Sequence, residues 1–513
     1  MALPDLIEIV PLDHPVRAEI TVPGSKSITN RALILAALAD GEVTLQGALW
    51  SEDTQIMVEC LQELGFMVNP EPDPAEPCNR TITIYGHGGA VPPGGTEMQP
   101  LDLFVGNAGT AARFLAPFLC LGSGVYRLHG VPRMHERPQA ALFQALRELG
   151  YRIESEQDND KLPARIYGGS SLERGSVSRS NSAGQSTIAI SEGGVPSQAA
   201  AGHRPALRSC QVSIEESSQF ASALLLSSRI GGWQIEIVGE NADESPYVVM
   251  TQRLLVVFPK AGGGFQIEPD ASSGSYFWAA NWLVSVNSWM QDFIATNYPQ
   301  MQARFHQVWE WVQAAQPGGK PGPLTGDQLA VTVRNWPSSG WQIDADFPQF
   351  IPLPAQISRE GQLGDSILTA VVLAADLWGG LGLERREKGI HFTELGRLRL
   401  QECDRVAALN AELTKCGAHV VEDGDTLTIY QTRQLHGAEI ETYQDHRMAM
   451  CFAVLGLKVP GIRIKNPACV KKTFPNFFQK LAAPPPHGLG AEIWEIKGGE
   501  RTRKLSGADL FAE

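Results

Sequence analysis

Pro23-Gly24-Ser25-Lys26-Ser27-Ile28-Thr29-Asn30-Arg31 runs directly into Ala32-Leu33-Ile34-Leu35-Ala36-Ala37-Leu38. The Pro-Gly pair ends a strand expected over 18–22 and turns the chain. The Ala/Leu run is a strong helix former, so Ser25 to Thr29 gather at a helix N-terminus. Free backbone N–H groups and the helix dipole favour an anion there. Lys26 and Arg31 add full charges; Ser25, Ser27 and Thr29 add hydroxyl donors. The stretch reads either as a seat for phosphate or carboxylate, or as a capped surface helix carrying a stray Lys and Arg. It is not a Walker loop, because the GxxxxGK[ST] spacing is absent.

Two patterns recur outward from this point. Residues 59–68 (ECLQELGFMV), 144–153 (QALRELGYRI) and 411–420 (AELTKCGAHV) each read as a helix end, a glycine suited to the position after a helix, and a strand. Gly41, Gly124, Gly232 and Gly461 each precede an alternating strand. This self-similarity predicts several copies of one α/β unit, with sheets backed by helices.

The 513 residues exceed what one hydrophobic core supports, so two or more domains are expected. Hydrophobic residues at 43% and charged residues at 19% describe an ordinary globular composition. A formal charge of −14 argues against a nucleic-acid or anionic-membrane surface, so a basic cluster in this chain marks a local small-anion site. The eight cysteines form no CxxC and no zinc spacing, which fits reduced thiols in a cytoplasmic setting. No signal peptide and no membrane-spanning stretch is read. Residues 174–208 read as a flexible insertion. Residues 278–341 hold seven of the eleven tryptophans and a Pro/Gly-rich linker near 316–323, with Trp278, Trp282 and Trp289 on one helix face for core packing. Residues 492–513 read as a loosely held tail.

The anion theme repeats down the chain. Gly106-Asn107-Ala108-Gly109-Thr110-Ala111-Ala112-Arg113 is a small-residue turn into a helix. Pro132-Arg133-Met134-His135-Glu136-Arg137-Pro138 places two arginines in a proline-bounded loop, either of which could instead pair with Glu136. Glu216-Ser217-Ser218-Gln219 opens another helix, where Ser is usually only a cap. Gln401-Glu402-Cys403-Asp404-Arg405, Asp445-His446-Arg447 and Lys471-Lys472 each put a cation at or near a helix start. The macrodipole disfavours that placement, and its repetition points to a shared anionic ligand.

PGSKSITNRALILAALADG, LFVGNAGTAARF, PRMHERP, SSQF, EPDASSGSYF, QECDRV, YQDHRMAMCF and KKTFPNFF, in this order, resemble the 5-enolpyruvylshikimate-3-phosphate synthase family. The likeness covers about 5–482, interrupted at 174–208 and 279–360. It implies an α/β fold: a two-lobed inside-out α/β barrel of repeated βαβαββ units. One lobe would be 23–266, the other 1–22 plus 267–482, with 483–513 as a tail. It implies transfer of the enolpyruvyl group of phosphoenolpyruvate to the 5-hydroxyl of shikimate 3-phosphate by addition and elimination, without metal or cofactor, in a cytoplasmic monomer. Phosphoenolpyruvate would lie among Lys26, Gly109, Arg137, Gln219, Arg405, Arg447 and Lys472. Shikimate 3-phosphate would contact Lys26, Ser27, Arg31, Ser217, Ser218, Gln219, Tyr247, Asp365, Arg397 and Gln401. Lys26, Asp365 and Glu402 would be catalytic, with Asp344 or Asp346 as fallbacks for Asp365.

The departures from the family pattern fall mainly at the acceptor end. Gln401 stands where a Lys is usual, Arg397 where an Asn is usual and Glu244 where a Ser is usual. Arg397 or Arg399 is expected to supply the missing charge. Phe114 replaces a Pro beside the Gly109 turn, which bears on sensitivity to glyphosate. An enolpyruvyl transferase with another acceptor and a catalytically dead binding module are the alternatives.

Overall fold

A computed structural model describes residues 3–13, 16–169, 208–239, 245–286, 331–376, 389–430, 432 and 435–512. The insertion expected over 174–208 lies, except for Arg208, outside the described residues. So do Glu244, Trp289, Trp309, Trp311 and the 316–323 linker.

Each repeated sequence pattern becomes the same piece of structure. The helices Glu52–Glu63, Ala140–Glu148 and Arg405–Lys415 are followed by Gly65, Gly150 and Gly417 at positive φ, then by strands Val68–Pro72, Arg152–Ser155 and His419–Asp423. Two of these units follow strand, helix, strand, helix, strand, strand among the described residues, each with one further short helical element ahead of its second long helix. One begins at Leu101–Phe104 and ends at Ala164–Gly168; the other begins at Gln356–Ser358 and ends at Thr426–Tyr430. Their sheets share one pairing scheme: a parallel pair joined by a helix crossover, extended by two antiparallel pairings. A third sheet repeats the scheme with strand Gly263–Gln266 arriving from far along the chain to lie parallel to Asp40–Leu49.

Buried apolar side chains form two separate clusters. One runs from Ile28 to Ile267. The other joins Leu3–Val22 to residues from Tyr276 to Ala512. The chain passes between them twice, side by side: Ser25 N donates to Glu268 O at 2.8 Å and Asp270 N to Pro23 O at 2.8 Å. Gly24 is required at this crossing, since a Cβ there would lie 2.0 Å from the Gly47 carbonyl oxygen.

The residues beyond 483 are not a loose tail. Strands Ile493–Lys497 and Glu500–Leu505 form a hairpin that pairs antiparallel to Leu6–Ile9, and Leu505 and Leu510 are buried in the second cluster. The hairpin's charges find partners: Arg501, together with Arg463 of the strand Arg463–Lys465, bonds the buried Glu8 carboxylate. Trp278 is buried edge-on against Trp336 at 5.6 Å, so this part of the tryptophan-rich stretch is core. All eight cysteines are free thiols. Among the described residues no helix is long and apolar enough to cross a membrane.

Candidate active site

Eight of the described helices send their N-terminal ends to one cleft between the two clusters. They start at Lys26, Gly109, Gln219, Pro246, Ala271, Ile367, Arg405 and His446. At or beside those starts, Ser25, Lys26, Thr110, Ser218, Gln219, Tyr247, Asp270, Asp365, Arg405 and Arg447 line the cleft. Converging N-termini add partial positive charge to the full charges already there. Ser25 and Ser218 occupy the residue before their helices, yet neither side chain caps its own helix. The adverse dipole at Arg405 and Arg447 is offset locally: Asp404 accepts from Ala407 N at 3.1 Å and Asp445 from Arg447 N at 2.8 Å.

The cleft lining gathers Lys26, Ser27, Arg31, Arg137, Ser217, Ser218, Gln219, Tyr247, Asp365, Arg397, Gln401, Glu402, Arg405 and Arg447. Gly109 lies under the Arg137 guanidinium, and Lys472 Nζ sits 2.9 Å from Glu402 Oε1. The segment expected as a loop around Arg137 holds a short helix, Pro132–Glu136. There Arg133 takes the exposed pair with Glu136 at 2.6 Å, leaving Arg137 for the cleft. Lys26 Nζ is 3.1 Å from Asp53. Arg405, fully buried, bonds Asp445 at 2.6 Å and Glu402 at 2.9 Å.

Three cleft arginines, Arg31, Arg113 and Arg137, have no carboxylate partner among the described residues. Arg31 donates to Thr251 Oγ1 (2.7 Å), Ser27 O (2.8 Å), Ser222 Oγ (3.1 Å) and Tyr247 O (3.3 Å). Its Cζ lies 5.2 Å from the centre of the Phe114 ring, so the residue replacing the family Pro supports Arg31 from behind. Arg113 donates to Gln219 Oε1 at 2.6 Å, and its Nε is buried without an acceptor among the described residues. Burial pulls the Arg31 pKa down to about 10; burial, then repulsion from Arg137, pulls that of Arg113 down to about 9. Buried cations without counter-ions are stabilised by an incoming anion.

The carboxylates differ in state. Burial pushes Asp365 up, but Arg447 at 3.0 Å and Arg359 at 3.1 Å, with Arg405 beyond, outweigh it and hold the carboxyl below its usual range. Burial likewise raises Glu402, and Lys472 and Arg405 reverse it to well below the usual range. Both are ionised bases. Asp344 also lines the cleft, and burial together with Asp365 pushes its carboxyl up; Ser272 Oγ (2.6 Å) and Ser366 N (2.8 Å) bond it. Asp346 is not in the cleft lining, and its carboxylate accepts from Gln349 at 2.8 Å.

Arg399, expected as one source of the missing charge, does not line the cleft. It is held outside the cleft by Glu422 Oε1 at 2.8 Å, Gly424 O at 2.6 Å and Asp404 at 3.2 Å, so it cannot replace the charge missing at Gln401. Arg397 does line the cleft, 3.4 Å from Glu360. Gln401 itself accepts from Arg405. Sequence reading missed Arg113, which stands one helical turn after Gly109, a spacing that carries it to the same end of the helix. It also missed Arg359, for which no local signal exists.

The chain matches the model of the family EPSP synthase (3-phosphoshikimate 1-carboxyvinyltransferase) over residues 12–191 and 388–481. It is 33% identical to the 3-phosphoshikimate 1-carboxyvinyltransferase of Trichormus variabilis, over 93% of this chain and 98% of that one. The chain belongs to the EPSP synthase family. The enzyme of the same name from Opitutus terrae is 34% identical over 94% of this chain and 98% of its own. Among solved structures, EPSP synthase from Acinetobacter baumannii superposes with a TM-score of 0.58 at 20% identity, covering 96% of this chain and all of that one. The enolpyruvyl transferase NikO from Streptomyces tendae gives 0.56 at 14% identity, covering 96% and 99%. These two likenesses speak for the family's two-lobed α/β fold.

Proposed function

We propose that the protein transfers the enolpyruvyl group of phosphoenolpyruvate to the 5-hydroxyl of shikimate 3-phosphate and releases phosphate. The observation that carries this reading is the cleft itself. Eight helix N-termini and a set of buried cations, three without counter-ions among the described residues, surround two ionised carboxylates. Lys26, Arg137, Arg405, Arg447 and Lys472, with Gln219 and the Gly109 backbone, hold the phosphate and carboxylate of phosphoenolpyruvate. Ser27, Ser217, Ser218, Tyr247 and Arg397 hold the acceptor, with Arg31 fixing the wall behind them.

In the addition step the acceptor oxygen bonds to C2 of the enol, its proton leaves, and C3 takes up a proton. In the elimination the C2–O bond to phosphate breaks and the C3 methyl loses a proton, restoring the double bond. Asp365 and Glu402, kept ionised by their cations, and Lys26 are the groups placed for these transfers. The fixed cations stabilise charge that develops as phosphate leaves, and the cleft holds the two anions within reach of one another.

Phosphate release from phosphoenolpyruvate, with and without shikimate 3-phosphate, tests the reading. Release that needs the acceptor and vanishes in Arg137→Ala supports it. Phosphoenolpyruvate binding with no acceptor-dependent release favours a different acceptor, the reading to which neutral Gln401 gives weight.

A further inference from the structure

Arg359 belongs to none of the sequence motifs, yet it is 6% exposed and lines both the cleft and the recess that continues from it. It follows the strand Gln356–Ser358, and its backbone N–H is fixed to Thr393 O at 3.1 Å. Its guanidinium has donors to spare: Nη2 bonds Asp365 at 3.1 Å, while Nε is buried with no acceptor among the described residues. Asp365 is shared with Arg447, so one carboxylate stands between two arginines and Arg359 does not have it to itself. Across the same recess, Arg397 pairs with Glu360 at 3.4 Å, with both side chains partly open to solvent. Burial lowers the Arg397 pKa; Glu360 opposes this and Arg359 adds to it, so the two guanidiniums sense each other. Tyr247 lines the recess too, and burial, reinforced by Asp365, keeps its hydroxyl protonated as a donor. The remaining carboxylate there, Glu394, is engaged by Ser358 Oγ and the Glu360 amide.

We propose that Arg359, paired with Arg397, anchors the dianionic phosphate of the acceptor, supplying the charge that neutral Gln401 does not. The proposal rests on the acceptor reading above. Guanidinium forks match phosphate bidentately, and a dianion relieves the repulsion between the two arginines while displacing Glu360 from Arg397. The residue is specificity-determining: it reads the phosphate and leaves the acceptor ring to other groups.

The test is calorimetric titration of the full chain and of Arg359→Gln with shikimate 3-phosphate, with unphosphorylated shikimate and with inorganic phosphate. Arg359→Gln is expected to weaken shikimate 3-phosphate and inorganic phosphate roughly tenfold to a hundredfold and to leave shikimate unchanged. Equal losses for shikimate and its phosphate, or no loss for either, overturn the proposal. Should the unmodified protein not prefer shikimate 3-phosphate to shikimate, the acceptor reading fails, and the inorganic phosphate titration still decides whether Arg359 holds an anion. Arg359→Lys keeps the charge but loses the fork, so it serves if the Gln variant does not fold. An intermediate loss of phosphate preference is expected from it, and an unchanged preference with lost shikimate affinity overturns the proposal.

Discussion

Replacing Gly109 by alanine sets one methyl group against the Arg137 guanidinium. The new Cβ would lie 2.7 Å from Nη1, 2.8 Å from Cζ and 2.9 Å from Nη2, whereas ordinary contact begins at 3.4 Å. Arg137 is 9% exposed, so the group cannot simply swing into water. It must retreat from the cleft by the difference, enough to break a directed bond to an anion. A hydrogen bond to a charged group contributes about 1.5–3 kcal/mol, which corresponds to roughly tenfold to a hundredfold in affinity. The fold should not suffer. Gly109 opens the helix Gly109–Cys120 without a positive φ, so alanine adds no backbone strain there. Steady-state phosphate release at saturating shikimate 3-phosphate should show the KM for phosphoenolpyruvate rising by that factor. The acceptor KM should hold, and the melting temperature should be unchanged or higher. An unchanged phosphoenolpyruvate KM would refute the reasoning, as would a lowered melting temperature with both KM values raised.

Arg399→Ala removes an exposed network outside the cleft, so acceptor affinity by calorimetry should match that of the unmodified protein; a loss comparable to that of Arg359→Gln would contradict the geometry. Asp365 and Glu402 hold folded-state pKa values below their unfolded ones, so their pairs stabilise the fold above about pH 4 and fail as pH drops through the lowered values. Arg447→Gln removes one source of that depression and should start acid unfolding, followed by circular dichroism, at a higher pH. Asp344, pushed the other way, is present in both proteins, and an unchanged acid midpoint would count against the Asp365 pairing. Glu76, buried between the two cores, accepts from Lys480 Nζ (2.6 Å), Asn476 Nδ2 (2.6 Å) and Thr21 Oγ1 (2.7 Å). Glu76→Ala should cost about 3 kcal/mol in denaturant unfolding, and a loss under a third of that would show the cluster to be ornamental.

What could be read from the sequence was local. A glycine after a helix and an alternating strand after a glycine are written in neighbouring residues, and the α/β units followed from them. The cleft residues near helix starts were legible for the same reason, since Lys26, Gly109, Gln219, Arg405 and Arg447 all sit within two residues of a helix start. Arg359 was not, because its neighbours Asp365, Thr393, Arg397 and Arg447 come from separate elements and meet only in the fold. The C-terminal hairpin was legible and was misread. Ile493–Lys497, Gly498-Gly499 and Glu500–Leu505 form strand, two-glycine turn and strand, with both glycines at positive φ. Its dense run of charged residues masks the pattern.

That hairpin bears on how the molecule is made. Leu6–Ile9 lies between Arg463–Lys465 and Ile493–Lys497, so this strand leaves the ribosome long before the partners it pairs with. Apart from Trp341, which packs against it, the first core has its residues once 267 has emerged and can form during synthesis, whereas the second needs residues from Leu3 to Ala512. Until then Ile7 and Ile9 have no sheet to enter. A stalled or shortened chain is expected to carry one finished lobe and one sticky, open one.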